Sequence, residues 1–347
     1  MKFAACFQCQ ARACSGAVRR RVDRPLLPAR ERGVALITAV LVVAIAAVIA
    51  TSMMNRQNFD TRRTANIIHR DQAIAYALGA EYWAGVELNR DAQQNNFDHL
   101  GENWAYDLPP LPIDGGYING RLQDLQGRFN LNSVLDPIQA ERFARLCQAI
   151  NVDPDFIPAL QDWIDDDTEV RENGAEDESY TRLAPPYRTA NRFLVDSSEL
   201  LLVQGVGVDD YNILAFYVSA LPVSGAINVN TAAPQLIQSL TRDVTVPEAE
   251  RIIGLRTANP YQDVDVFVED EAFAGREISE EHLTVSSQYF LLTADVVLGD
   301  ATLTMQSVLY RTPQGQITVI QRRFGPSREQ ILTQSGGSTG PLGVDRP

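Results

Sequence analysis

The strongest pattern in the chain is an apolar run from Val34 to Ser52, VALITAVLVVAIAAVIATS, nineteen residues without a charge. Arg30, Glu31 and Arg32 precede it and Arg56 follows it. At about 1.5 Å per residue, a helix of that length just crosses a bilayer core of roughly 30 Å. A secretory signal peptide has a shorter apolar core with a small-residue cleavage site behind it. Here the run passes instead into a helical pattern. From Asn55 to about Asn89, the residues Phe59, Ile67, Ile68, Ile74, Ala77, Leu78, Trp83, Val86 and Leu88 recur at spacings near three and four. Arg56, Asp60, Arg62, Arg63, Arg70 and Asp71 lie between them, and no Gly or Pro interrupts Val34 to Leu78. The pattern predicts one continuous helix of about 55 residues, apolar all round in its first half and amphipathic in its second.

Further along the period changes. Gly116 to Asn132, GYINGRLQDLQGRFNLN, alternates apolar and polar residues around glycines and predicts a hairpin or paired strands. Residues 288–324 alternate in the same way, with turns at Gly299-Asp300 and Pro313-Gln314-Gly315, and predict three strands. The two segments are expected to form one antiparallel sheet on the long helix. Between them the chain reads mainly helical: Pro137–Ile150, Asp155–Ile164, Ser197–Gln204, Tyr211–Tyr217, Ala233–Leu240 and Pro247–Thr257. The fold class is therefore α+β, with a large helical insertion in a small sheet.

Charge adds a topology. Eight of the 30 basic residues but only two of the 44 acidic ones fall in residues 1–33, so a basic arm precedes the apolar run and the rest is strongly acidic. The arm is expected in the cytoplasm and the chain after the span outside, in the periplasm. Lys2 is the only lysine. An acidic body opposes nucleic-acid phosphates and supplies oxygen ligands for a hard cation. Cys6, Cys9 and Cys14 lie in the basic arm and Cys147 stands alone, so neither a disulfide framework nor a four-ligand zinc set is expected.

Two blocks carry more specific signals. Arg32-Gly33 stands before Val34-Ala35-Leu36-Ile37-Thr38 at the start of the apolar run. Farther on come Asp162-Trp163-Ile164-Asp165-Asp166-Asp167, Gly174-Ala175-Glu176-Asp177 with Tyr180, Pro186-Tyr187-Arg188 with Ala190-Asn191, and Ser198-Glu199-Leu200. Seven carboxylates fall between Asp165 and Asp177. Left alone, that density repels itself and gives a solvated loop; a divalent cation with six to eight oxygen ligands would fix its shape. The spacing is not that of an EF-hand.

These blocks resemble the minor pseudopilins of type II secretion, the protein K family, over Arg32 to Phe324. The resemblance implies a type IV prepilin leader cut by the prepilin peptidase between Gly33 and Val34, with methylation of the new amine. Most relatives of the wider pilin class carry glutamate at the fifth mature position; Thr38 stands there, and its lack of charge is itself a mark of the K type. The implied architecture is pilin-like: a basic leader (1–33), a membrane part of the helix (34–54), its continuation with the first strands (55–132), an inserted helical domain (133–283), closing strands (284–325) and a flexible tail (326–347). The insertion carries helix-hairpin-helix-like (SAM-like) elements at Leu202–Gly207 and Asn228–Ala232. Calcium is the implied cofactor, with Asp165, Asp167, Glu176, Asp177 and Glu199 as ligands and Asn191 as a weaker one. The implied partners are minor pseudopilins I and J, the major pseudopilin, the inner membrane, and an exoprotein or the outer-membrane channel. The implied task is to start the pseudopilus from its tip and support export of folded proteins.

Two other readings compete. The hairpin-like glycine turns suggest a DNA-handling pilus or competence component, which the acidic surface disfavours: residues 226–275 hold only Arg242, Arg251 and Arg256 as cations. The acidic loop on a membrane stalk suggests a calcium-dependent carbohydrate-binding module. Catalysis is not expected. No G-x-S-x-G or phosphate loop occurs, His69, His99 and His282 are scattered, and Asp165 with Glu176 lies in too dense a cluster for a glycosidase pair.

Overall fold

The computed structural model describes residues 29–326 and Ile331. The leader cysteines, the basic arm before Ala29 and the rest of the tail lie outside the described residues. Helix α1 (Ala29–Asp91, 63 residues) is unbroken, as the lack of early Gly and Pro predicts. Two compact units divide the chain, 1–64 and 65–347. Within the first, the window beginning at Val34 has a mean hydropathy of 2.9, and its side chains are exposed to the surroundings. This helix is long and apolar enough to cross a membrane.

In the second unit, α1 is followed by strands β1 (Leu108–Ile113) and β2 (Gly116–Asp124). The chain then passes through β3 (Phe129–Asn130), α2 (Pro137–Ala149), α3 (Ile157–Ile164), α4 (Asp177–Thr181) and α5 (Val208–Leu214). It continues through β4 (Val218–Ser219), β5 (Ile227–Asn228), α6 (Pro234–Ser239), α7 (Val246–Ala258), α8 (Val264–Val268) and β6 (Leu283–Thr284). Strands β7 (Tyr289–Leu298), β8 (Ala301–Arg311) and β9 (Ile317–Phe324) close it.

The main sheet has the order β1-β2-β7-β8-β9, antiparallel throughout. Alternate residues of β7, from Phe290 to Val296, face α1 and meet its Ala73, Ala77, Ala84 and Leu88, all wholly buried. Small residues on that stripe let helix and sheet approach closely. Large apolar residues of the same helix, Ile67, Ile68, Leu78, Trp83 and Val86, remain exposed. The amphipathic half of the helix thus turns an alanine stripe to the sheet and spreads exposed bulky apolar residues over its opposite side.

The pairing expected within 116–132 is different in the structure. Gly116–Asp124 forms one strand between β1 and β7 and does not return on itself. The Asp124 carboxylate accepts from the Gln126 amide at 2.7 Å and turns the chain out of the sheet. Gly127 then abuts Thr231, where a Cβ would lie 2.7 Å from the hydroxyl, so it is a close-approach glycine rather than a hairpin one. Phe129–Asn130 pairs in parallel with Val218–Ser219 instead. Strand β1 escapes the sequence reading because Leu-Pro-Pro-Leu-Pro-Ile looks like a linker. Its three prolines remove backbone donors, which suits an edge strand and blunts that edge.

The helical section has its own core, with Phe129 stacked on Phe143 at 4.6 Å and Phe156 edge-on to Phe143 at 5.8 Å. Its helices begin where the caps dictate. Asp136 accepts from the Ile138 and Gln139 amides ahead of α2, and Thr245 with Glu248 forms a capping box for α7. Cys147 is buried in this core, and burial pushes its thiol up to about 12, so it packs as an apolar side chain and is not reactive.

Candidate functional site

The acidic loop grows from the end of α3. Asp162 lies inside the fold, fully buried, and accepts from the Arg171 amide at 3.2 Å and its guanidinium at 2.7 Å. Arg171 also pairs with Asp165 Oδ2. The loop closes over Asp162 so tightly that a Cβ on Gly174 would lie 2.0 Å from Asp162 Oδ2. Asn173 next to it takes a left-handed conformation, φ 63°.

Beneath the loop an aromatic trio fixes its two ends. Tyr180 of α4 packs on Trp163 of α3 with ring centres 5.2 Å apart and on Tyr187 at 5.3 Å. The Tyr180 hydroxyl accepts from the Gln204 amide at 3.1 Å, and the Tyr187 hydroxyl donates to the Leu202 carbonyl at 2.9 Å. The loop is therefore pinned to the segment that carries Glu199 and the first glycine turn.

Of the residues singled out in the sequence, Asp165, Asp167 and Glu176 converge, each offering a carboxylate oxygen within 4.8 Å of the others. Asp165 Oδ1, Glu176 Oε1 and Asn191 Oδ1 are buried oxygens with no hydrogen-bond donor. Asn191, held at φ 45°, reaches the Asp167 carbonyl with its amide nitrogen at 3.4 Å and so borders the same cluster. Glu176 is pushed above the usual carboxylate range, first by burial and then by Asp162 and Asp165. Orphaned anionic oxygens crowded together are costly without a cation, and an oxygen-only donor set matches a hard divalent ion.

The other two residues have different contacts. Asp177 accepts from the Thr189 amide at 3.0 Å and its hydroxyl at 2.9 Å and faces Arg188 at 3.3 Å. Glu199 accepts from the Val195 and Asp196 amides at 2.7 and 3.1 Å, completing a capping box over the 3-10 turn Ser197–Leu202. Sequence reasoning missed Asp162 and Arg171, which form the floor. The available signal was Asp162 on the apolar side of a short helix, a buried carboxylate that requires a partner.

Asp91, Asp98 and Glu102 form a second acidic group. There the Arg311 guanidinium already pairs with two of the three, with Asp98 and with Asp91 at 3.0 Å. It is an internal ion-pair network rather than a cation site.

At the membrane end, Gly33 and Val34 lie within α1, and Val34 is exposed. The Thr38 hydroxyl donates to the Ala35 carbonyl of its own helix at 3.0 Å, so its polar group is satisfied within the helix. The first glycine turn, Gly205 at φ 92°, sits against Phe156, and it begins a helix of only seven residues. It serves packing between helices.

Two family models described as type II secretion system (T2SS), protein K, match residues 127–223 and 227–286. Type II secretion system protein K of Pseudomonas aeruginosa is 35% identical over 323 residues, spanning 88% of this chain and 96% of that protein. The Klebsiella pneumoniae protein of the same name is 34% identical, spanning 85% and 97%. A chain in the crystal structure of the GspK-GspI-GspJ complex from the enterotoxigenic Escherichia coli type 2 secretion system superposes with a TM-score of 0.69 at 27% identity. That likeness spans 76% of this chain and all of the other. The long helix, antiparallel sheet and helical insertion, with these likenesses, define a minor pseudopilin of the type II secretion system. Within that class the chain belongs to the protein K family.

Proposed function

We propose that this chain is anchored in the inner membrane by α1, with its N-terminus cytoplasmic and residues 65–326 periplasmic, and that it starts the pseudopilus from its tip. Prepilin peptidase would cut between Gly33 and Val34 and methylate the new amine. The carrying observation is the exposed apolar side of α1 opposite the sheet. Leu78, Trp83 and Val86 are exposed although the sheet is already packed on the alanine stripe. A helix side that leaves several large apolar residues exposed marks a helix made to meet other helices. By analogy with the GspK-GspI-GspJ complex, those helices belong to minor pseudopilins I and J, and below them to the major pseudopilin. A head enlarged by the helical insertion does not repeat in a helical lattice, which supports a tip position, facing an exoprotein or the outer-membrane channel.

Calcium is the cation proposed for the Asp165, Asp167 and Glu176 cluster, with Asn191 Oδ1 beside it. When bound it would neutralise the loop and hold it on the Trp163–Tyr180–Tyr187 platform, a structural rather than catalytic task. No enzyme activity is assigned. Nucleic acid is left out of the partners, because the helix-hairpin-helix-like turns belong to an acidic section. The test is thermal unfolding of the full-length chain in detergent with calcium and with a chelator. A higher Tm in calcium, reduced in Asp165→Asn and Glu176→Gln, supports the site; equal Tm values under both conditions remove it.

A further inference from the structure

The second charged cluster lies where the sheet and the helical section of the 65–326 unit join. Asp124, at the end of β2, is buried, and its Oδ2 accepts from Thr231 Oγ1 at 2.5 Å, Ser287 Oγ at 2.6 Å and Asn228 Nδ2 at 3.1 Å. The Asn228 amide also reaches the Asp98 carbonyl at 3.2 Å, and the Ser287 amide donates to Asp98 Oδ2 at 2.6 Å. Gln126 links the same strands, donating to the Ala226 carbonyl at 3.0 Å and accepting from the Gln288 amide at 2.6 Å. Arg311 of β8 holds Asp98, Asp91 and the Ser287 carbonyl, with its guanidinium 4.9 Å from the Phe290 ring centre. Both passages of the chain between sheet and helices, 124–127 and 284–288, are thus gripped by one network, together with the 226–231 segment.

The charges in that network do not balance. Arg311 pairs directly with Asp91 and Asp98 only, while Asp124 joins the network through Asn228 and Ser287 and Glu102 acts on Asp91 and Asp98 as a neighbouring charge. Glu102 is held by Trp104 Nε1 at 2.7 Å and Asn95 Nδ2 at 2.8 Å, with His99 Nε2 3.7 Å away. Glu87, one turn back on α1, faces Arg90 at 3.4 Å. Four buried carboxylates in one network, only two of them paired with its single permanent cation, cannot all stay ionised in a medium that solvates charge poorly.

We infer that this junction is a proton-dependent lock, which holds the sheet and the helical section together at mildly acidic pH and loosens as the pH rises toward neutral. The titration agrees with the geometry. Burial, then Glu102 and Asp98, pushes Asp91 up to about 7, and burial pushes Asp124 up to about 6. Asp98 is raised too, chiefly by burial. With these groups raised above their values in an opened junction, the closed form takes up protons. Its stability therefore falls as pH climbs from the ordinary carboxylate range to about 7, then levels. The lock is a property of this unit and stands apart from the assembly reading.

Amide hydrogen exchange on the full-length chain in detergent, corrected for the intrinsic pH dependence of exchange, tests it. Protection in peptides covering 226–231 and 284–288 is expected to be at least about tenfold higher at pH 5.5 than at pH 8, since each unit of pKa displacement is tenfold. Asp91→Asn carries the neutral form permanently and is expected to reduce that dependence, leaving the smaller part that Asp124 contributes at lower pH. Glu102→Gln, which removes a neighbouring charge, keeps the dependence and moves it to lower pH; it decides the matter if Asp91→Asn fails to fold. Equal protection at both pH values in the unaltered chain, or the same pH profile in the variants that fold, overturns the lock.

Discussion

At the scale of single residues, the acidic loop depends on two positions that look ordinary in sequence. Gly174 is adjacent to the Asp162 carboxylate, and any side chain there meets a buried oxygen. Gly174→Ala is expected to destabilise the 65–326 unit by roughly 1–3 kcal/mol, an overpacking cost, and to abolish the calcium-dependent gain in Tm. Differential scanning calorimetry with and without chelator reads both effects. Glu176→Gln is expected to keep the fold and lose most of that gain, which for a site at a hundred times its Kd is about 2.7 kcal/mol. The acidic loop was legible in the sequence because charge density is visible in one dimension, whereas the choice of Asp165, Asp167 and Glu176 within it came from the resemblance to the protein K family. Asp162, Arg171 and the locking set of Asp91, Asp98, Asp124 and Arg311 were not legible. Their partners are distant along the chain, as with Asp91 and Arg311, and no local pattern marks a carboxylate that will be buried.

At the scale of elements, α1 and the three closing strands follow directly from period and turn residues, because a long uninterrupted apolar pattern and Gly-bearing turns leave few alternatives. Strand β1 and the departure of the chain after Asp124 do not, since three prolines and a close-approach glycine mimic a linker and a hairpin. The two sides of α1 separate stability from assembly. Ala77→Leu intrudes on Ala294 and Met305 across the interface and is expected to cost about 1–3 kcal/mol in urea unfolding. Trp83→Ser with Val86→Ser touches the exposed side and is expected to leave the unfolding midpoint nearly unchanged, within about 0.5 kcal/mol per site. Yet that double variant is expected to weaken binding of minor pseudopilins I and J by at least about tenfold, read by quantitative pull-down. A variant that unfolds easily and still binds would reverse the roles of the two sides.

At the scale of the whole molecule, the chain combines an apolar helix able to cross a membrane with a unit whose sheet and helices are joined by a buried polar network. Membership in the protein K family and the likeness to a chain of the GspK-GspI-GspJ complex give that combination its setting. The most direct measurement is co-purification of the full-length chain with its co-expressed minor pseudopilins I and J from detergent-solubilised membranes, in calcium and in chelator. A three-part complex that the Trp83 and Val86 substitutions disrupt is the expected result. Absence of any complex in both conditions would contradict the proposed tip role.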